Sequence, residues 1–177
     1  MRLSERLPYL KGEGFEAVGL PYTEDAYRFY LFLPEKGRTV ADLRAQLTPE
    51  NWAKWLTEFR TVQGSLQMPR FKIEAKYDLK LPLSALGMGI AFDPDRADFS
   101  RIAEVAPERL YIQKAIQKAV VEVDEEGTKA AAATGMTFGV TSLPVDQFNI
   151  VVDRPFLFAI VHPPTGTVLF WGIVRTP

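Results

Sequence analysis

Side chains that could catalyse hydrolysis or bind a metal are sparse in this 177-residue sequence. Cysteine is absent, which excludes disulfides, thiolate metal sites and a cysteine nucleophile. The single histidine, His162, lies between the apolar run FLFAIV and a Pro-Pro turn, where we expect a structural role. A Ser-His-Asp triad or a metal site would have to be built around that one residue, and nothing in the sequence supports one. We therefore expect no metal and no cofactor, and a hydrolase is a weak hypothesis.

The stretch EEGTKAAAATG, residues 125–135, suggests a different kind of activity. Four consecutive alanines are strong helix formers. The tract nevertheless follows a valine-rich run over residues 120–123, and β-branched side chains favour a strand. On its own, such a tract is typical of a surface helix or a flexible linker.

The bulk composition is that of a folded globular protein. The chain is 47% hydrophobic and 24% charged, with a formal net charge of −1. This balance indicates neither a nucleic-acid partner nor an anionic membrane surface. No apolar run approaches the roughly 18 residues of a membrane span. The first 14 residues lack the apolar region of a signal peptide.

The remaining elements predict how the alanine tract is positioned. Residues 27–33 form a strand that is apolar on both faces, so both should be covered. Two helices follow, over 38–47 and 48–59, with Thr39 and Thr48 as N-caps. The second helix has Pro49 at its first position and an apolar stripe that we expect to pack in the core: Trp52, Trp55, Leu56 and Phe59.

Strands dominate the rest of the sequence. The clearest lies over residues 71–79, where apolar and charged side chains alternate without a break. A short helix over 82–87 should end at Gly87. Further strands are predicted over residues 61–68, 110–126, 147–152, 155–161 and 167–174. Because helices cluster and no regular βαβ alternation appears, the pattern predicts an α+β fold with mostly antiparallel β-sheets and a few short helices.

Several runs, taken in order, carry a specific resemblance. VEVDEEGTKAAAATG and DRPFLFAIVHPPTGTVLFWGIV resemble the C-terminal signature of the serpins, a family of serine protease inhibitors. Shorter upstream runs match in the same order: LPY, FLP, MPRFKIEAKYDLK, ADFSRIA and LYI. A complete serpin is roughly twice this length, so residues 1–177 resemble a single partial domain, the C-terminal half of that fold.

The resemblance implies that residues 125–146 contain a hinge and a reactive centre loop. In serpins a target protease cleaves this loop, and the hinge then enters the central sheet as a new strand. The hinge residues would be Glu125, Glu126, Gly127, Thr128, Lys129, Ala130, Ala131, Ala132, Ala133 and Thr134. With a period of two, the face formed by Thr128, Ala130, Ala132 and Thr134 is uniformly small, as an inserting strand requires.

The family's usual spacing places the cleaved bond at Thr141–Ser142. Because loop length varies, Ser142 or Leu143 is the alternative residue for the protease's main specificity pocket. Threonine suits an elastase-like or subtilisin-like protease, and leucine suits a chymotrypsin-like one. A trypsin-like target is excluded because no lysine or arginine lies between Lys129 and Arg154.

Two departures from the family matter. Gln117 stands where many members have histidine, so a pH-sensing role at that position is not expected.

The second strand that would flank the insertion gap is not in this sequence. The missing half could come from a separate chain, the sequence could derive from a split or misread longer gene, or it could fold alone without inhibiting.

The resulting hypothesis is an inhibitor that acts as a suicide substrate and is not an enzyme. The alternative is a non-inhibitory interaction module or inactive fragment, in which the loop is a passive peptide. Resemblance implies that an inhibitory member gains heat resistance when its loop is cleaved, whereas a passive module would not. The resemblance implies an extracellular location, which the sequence itself does not encode. The charge balance, as stated above, leads us to expect no nucleic-acid or membrane partner.

Overall fold

The computed structural model describes residues 1–22, 26–103, 108–124 and 147–177. These residues divide into two units. The first comprises Met1–Phe71 and Glu122–Pro177, and the second comprises Lys72–Val121.

A seven-stranded sheet forms the framework of the first unit. Its strand order is β7-β4-β1-β2-β3-β8-β9. All neighbouring strands are antiparallel except β4 and β7, which are parallel. The strands are β1 Arg2–Gly12, β2 Phe15–Pro21, β3 Arg28–Pro34, β4 Arg60–Gln67, β7 Gln147–Val151, β8 Phe156–His162 and β9 Thr167–Val174.

The centre of this sheet is covered on both faces. In β3 the five residues from Phe29 to Leu33 are all buried, as the apolar sequence of both faces predicted. Tyr27, which was expected to continue one face, precedes the strand and is 45% exposed. β8 pairs with β3 and is buried along most of its length. Strands β3 and β8, together with the central strand β2, are therefore the most buried part of the sheet.

Two helices cover one face of the sheet, and both N-caps were predicted correctly. α1 spans Val40–Ala45, and Thr39 and Asp42 form a reciprocal capping box at its start. α2 spans Pro49–Glu58, with Thr48 as N-cap. The tryptophan stripe is part of the core, as expected: Trp55 is buried against Phe15 and Phe32, and Trp52, Leu56 and Phe59 pack at the margin of that cluster.

The second unit contains most of a two-stranded sheet, formed by β5 Phe71–Asp78 and β6 Ile116–Val123. In β5 the predicted alternation is present over Phe71–Lys76, where half-buried side chains alternate with exposed ones. After β5 come the short helix α3, Lys80–Leu83, and a helical turn over Ser84–Met88. Gly87 interrupts this helical stretch where the sequence predicted the helix to end, because its φ of +99° lies in the region that favours glycine. The helix itself begins earlier than residue 82, at Lys80.

One strand differs in length from its prediction. The sequence suggested a continuous strand over residues 110–126, but β6 begins only at Ile116. Residues 110–115 are not part of the strand. The Ile112 amide instead donates to the carbonyl of Ala91, which lies in a 3₁₀ turn over Gly89–Phe92. That contact is non-local, so the β-favouring types of Leu110 and Ile112 could not reveal it.

Candidate functional site

The predicted hinge and the predicted cleaved bond lie outside the described residues. This applies to residues 125–134 and equally to Thr141, Ser142 and Leu143. The structure describes the two strands that hold the ends of this segment. β6 ends at Val123, shortly before the segment, and β7 begins at Gln147, directly after it. The segment thus connects an edge of one sheet to an edge of another.

β6 is the strand from which the hinge departs. Among the described strands it pairs only with β5, so its other edge has no strand beside it there. Val123, at its end, is buried, whereas Val120 is exposed. Gln117 is also exposed on this strand. An edge of this kind can accept a further strand through its backbone N–H and C=O groups.

β7 holds the other end of the segment. Phe148 is buried, and its ring covers Gly64 of β4, where the Cβ of any larger residue would lie only 2.3 Å from the ring. The same ring stacks on Tyr9 of β1, with centroids 5.0 Å apart and planes 5° apart. Beside it, the Ser65 hydroxyl donates to the Asn149 side-chain oxygen at 2.7 Å. These contacts fix the strand onto which the loop returns.

A groove opens next to the first residue of β7. It has a volume of about 770 Å³, and we call it the loop-end groove; its lining includes Tyr9, Lys11, Glu16, Glu58, Arg60 and Phe148. The Tyr9 hydroxyl donates to Glu16 at 2.7 Å. Burial, together with that bond to the Glu16 carboxylate, raises the pKa of Tyr9 well above its usual range. The bond to Glu16 orients the Tyr9 hydroxyl as a donor.

The sequence did not single out the loop-end groove. The sequence did contain one indication of it. A glycine inside a strand often marks a place where another group approaches the backbone closely, and Gly64 lies inside β4. The partner of Gly64 could not be identified from sequence, since Phe148 is far from it along the chain and pairs with it in parallel.

His162 is in a structural setting. It ends β8, where its Nδ1 lies 2.8 Å from the Thr165 hydroxyl in the turn leading to β9. The Thr165 hydroxyl in turn donates to that of Thr167. The His162 ring and these two threonine hydroxyls close the turn. None of these hydrogen-bonded groups is the serine or the carboxylate that a catalytic triad would require. The described residues contain no cluster of three or more side chains suited to hold a metal ion.

The helices are short. In the described part of the chain, none has the length and apolarity needed to cross a membrane.

Comparison with known proteins gives a consistent result. The family model described as "Serpin (serine protease inhibitor)" matches residues 1–177. Human antithrombin-III is 34% identical over 93% of this chain and 36% of its own length. Serpin B10 of Otolemur garnettii is 38% identical over 100% of this chain and 45% of its own. The native structure of tengpin, a thermophilic serpin, is 31% identical, with a TM-score of 0.82 over 100% of this chain and 46% of tengpin.

The chain therefore spans less than half the length of these relatives. The predicted fold is confirmed: mixed, mostly antiparallel sheets with a few short helices match part of the serpin fold. Members of that family are in general protease inhibitors and not catalytic enzymes. Because the family model matches the whole chain and the sheet framework agrees with a solved member, this chain belongs to the serpin family.

Proposed function

We propose that this chain is part of a serine protease inhibitor that acts as a suicide substrate and has no catalytic activity of its own. Residues 1–177 form one partial serpin domain, with a hinge and reactive centre loop over 125–146. The serine of the target protease attacks the carbonyl carbon of Thr141. An ester to that carbonyl forms, and the peptide bond to Ser142 breaks, with the new amino group leaving. The hinge then inserts beside β6 before the ester is hydrolysed.

The observation that carries this proposal is the position of β6. Its unoccupied edge in the described structure belongs to the strand that leads directly into the hinge sequence. The chain would therefore reverse at Gly127, and the inserted strand would pair with β6, the strand that precedes it in the sequence. Insertion creates new backbone hydrogen bonds, which supply part of the driving force.

The hinge composition suits this insertion. If Thr128, Ala130, Ala132 and Thr134 face the layer beneath the sheet, only small groups must enter it. Lys129 would face solvent.

The anchoring of β7 supports the other half of the mechanism. After cleavage at Thr141–Ser142, the segment beginning at Ser142 stays attached to β7, which Phe148 holds in the cradle formed by Gly64 and Tyr9. The segment ending at Thr141 stays attached to β6 and can move with the hinge. The two new ends are thus held by different sheets.

The loop sequence limits the target. Thr141 as the recognised residue suits an elastase-like or subtilisin-like protease, and cleavage after Leu143 would suit a chymotrypsin-like one. No trypsin-like protease fits, because the loop offers no lysine or arginine at these positions.

The second partner is a polypeptide that supplies the other flank of the insertion gap. The described strands include only one candidate flank, β6, while the matched serpins are more than twice as long as this chain. The N-terminal portion of a serpin would provide it, either as a separate chain or within a longer chain that contains these 177 residues.

The hinge offers a matched pair of variants for a test. Ala132→Arg places a long charged side chain on the proposed inward face, and Ala131→Arg places the same side chain on the outward face. Each variant and the unaltered chain is mixed with an elastase-like protease and analysed on denaturing gels. The experiment is done with the chain alone and after co-expression with the portion of tengpin that this chain does not match.

The proposal expects a covalent complex with the unaltered chain and with Ala131→Arg, and cleavage without a complex for Ala132→Arg. Cleavage without a complex for all three proteins, under both conditions, would show that the chain is only a substrate. That result would favour the alternative function, a non-inhibitory interaction module or inactive fragment. The observation behind this alternative is that the described residues supply only one flanking strand.

A further inference from the structure

We propose that the loop-end groove is a docking site for the chain end that cleavage of the loop creates, and that it binds the protonated amino group of Ser142 at the C-terminal end of α2. This inference rests on the proposed function, since it takes the Thr141–Ser142 bond as the one that the protease breaks. It adds a binding site for a peptide amino terminus on the sheet that keeps the β7 side of the cleaved loop.

The first argument is the register of β7. In its parallel ladder with β4, partners differ by 84 positions, as Gln63 and Gln147 do. Continued towards the loop in the same register, the ladder would bring Ser142 opposite Glu58, the last residue of α2. Gln147 lines the groove and follows Ser142 by five residues, which span at most about 17 Å when fully extended. The new end can therefore reach the C-terminal end of α2 without leaving the groove.

The second argument is that the groove is already formed and partly apolar. The stacked rings of Tyr9 and Phe148 lie in its wall, and the Phe148 ring is seated over Gly64. Val62 also lines it. The segment 142–146, SLPVD, carries three apolar side chains that such a wall can cover. A preformed surface loses little conformational entropy when a segment binds, which favours docking.

The third argument is the charge at the end of α2. This helix has no basic residue in its last turn, and a cation is favoured at the C-terminal end of a helix. Glu58 pairs only with Lys54 among the described residues, at 3.8 Å, and both side chains are exposed. An exposed pair of this kind contributes little, so the Glu58 carboxylate can accept a further cation.

Arg60 offers the opposite charge nearby. It is exposed and, within the described structure, donates only to the carbonyl of Thr57. The cleaved segment carries Asp146, which the register of β7 would bring two residues from Arg60. The segment thus supplies a carboxylate for Arg60 and an ammonium group for Glu58, and this double complementarity identifies it as the occupant.

The ammonium group exists only after cleavage. As the peptide bond breaks, the Ser142 nitrogen takes the proton of the attacking protease serine, and the resulting amino group takes a second proton from water. An α-amino group has an ordinary pKa of about 7.7–8.0, so it is mostly protonated near neutral pH. The other charged groups that line the groove, Lys11 and Glu16, lie opposite each other in the β1–β2 ladder and offset each other. The Glu58 carboxylate should therefore hold the proton on the new end.

The test uses the reactivity of this amino group, since only the neutral form is acylated. The chain is cleaved to completion by an elastase-like protease, and an active ester is added near neutral pH. Mass spectrometry follows the fragment 142–177, which contains no lysine, so that its α-amino group is its only amine. The reference is a synthetic peptide of residues 142–148. The variant is Glu58→Gln, and Glu108→Gln is the matched control, an exposed carboxylate in the other unit.

The amino group of the unaltered cleaved chain, and that of Glu108→Gln, should react about threefold more slowly than the peptide, because a nearby carboxylate favours the charged form. Glu58→Gln should bring the rate to within about 1.5-fold of the peptide. The slowing should shrink near 0.5 M salt. It should not change when the chain concentration is varied tenfold, and equal thermal midpoints would show that the variants fold alike.

An amino group that reacts as fast in the unaltered chain as in the peptide would overturn the inference, as would equal slowing in Glu58→Gln. Slowing that grows with concentration would place the new end in a second copy and would also overturn it. A fragment that begins elsewhere than at Ser142 counts against it too. Denaturing gels of the same samples separate the two proposals. Slowing that depends on Glu58 without a covalent complex contradicts only the inhibitory function, and a complex with a freely reactive amino group contradicts only the docking.

Discussion

The two edge strands of the seven-stranded sheet, β7 and β9, bury their side chains very differently. β7 is the shorter, with five residues, yet Phe148 and Ile150 are buried. β9 has eight residues, and Val168, Leu169, Phe170 and Trp171 are each 41–53% exposed. β7 alternates polar and apolar residues, and its last residue, Val151, is 42% exposed, whereas β9 contains four consecutive apolar residues. Hydrophobicity alone therefore does not decide which edge strand is covered.

The difference arises from the neighbouring side chains. Across from Phe148 the sheet offers a glycine and a flat tyrosine ring, which together form a cradle of matching shape. Among the described residues, β9 is packed closely only towards its C-terminal end, where Gly172 lies beneath the Phe158 ring of β8 and Val174 is buried. Elsewhere its apolar groups face solvent in the described structure, next to a groove lined by Trp52 and Trp171.

The largest expected effect is the difference in lost stability between two phenylalanine-to-alanine substitutions, one on each edge strand. Phe148→Ala should lower the free energy of unfolding by about 3 kcal/mol, because it removes a fully packed ring and leaves a cavity. Phe170→Ala should cost about 1 kcal/mol or less, since that ring is already 43% exposed. Urea unfolding of both variants measures the difference. Equal losses would contradict the view that Phe148 of β7 is covered more closely than Phe170 of β9.

The second prediction concerns the close contact on β9. Gly172→Ala should destabilise the chain by about 1–3 kcal/mol, because the added Cβ would lie 2.9 Å from the Phe158 ring. Leu169→Ala, on the same strand, is the control and should cost less than about 1 kcal/mol. Thermal unfolding compares the two. If Leu169→Ala proves the more damaging, the packing described for β9 is wrong.

The exposed apolar side chains of β9 should also promote self-association of the chain in isolation. A double variant, Leu169→Lys with Trp171→Lys, should weaken that association by about tenfold, which corresponds to about 1.4 kcal/mol. Sedimentation velocity at several concentrations provides the measurement. Two lysines introduced at exposed positions outside β9, Ser100→Lys with Thr176→Lys, are the control and should have no such effect.

The smallest expected effect is a pH dependence at the β7 edge. Burial and the bond to Glu16 raise the pKa of Tyr9 in the folded chain. As pH rises above the unfolded tyrosine value of about 10, the unfolded state loses a proton that the folded state retains. Stability contributed by Tyr9 is therefore present below that value and lost above it.

Tyr9→Phe should remove this contribution. Its free energy of unfolding should fall less steeply than that of the unaltered chain above about pH 10. Urea unfolding as a function of pH gives the two slopes. Identical slopes would indicate that Tyr9 titrates normally and is not held as described.

The sequence predicted those parts of the fold that depend on local patterns. Thr48 and Pro49 define the start of α2 through capping and backbone geometry, and both features lie within one turn. The unbroken apolar run of β3 predicted burial on both faces. Resemblance predicted the family, which the comparison confirmed.

Features that depend on distant partners could not be predicted in this way. The parallel pairing of β7 with β4 joins Gln63 to Gln147, and nothing near either residue specifies it. The late start of β6 follows from the contact between Ile112 and Ala91. The exposure of β9 likewise depends on what covers it and not on its own residue types. The hinge and cleaved bond, which lie outside the described residues, stay predictions.

Amide hydrogen exchange tests the central claim most directly. The chain is combined with the N-terminal portion of tengpin, and exchange is followed by mass spectrometry before and after an elastase-like protease cleaves the loop. Insertion beside β6 predicts that amides of residues 128–134 and of β6 become more slowly exchanging after cleavage. Unchanged exchange in both segments, with the loop fully cleaved, would contradict the account.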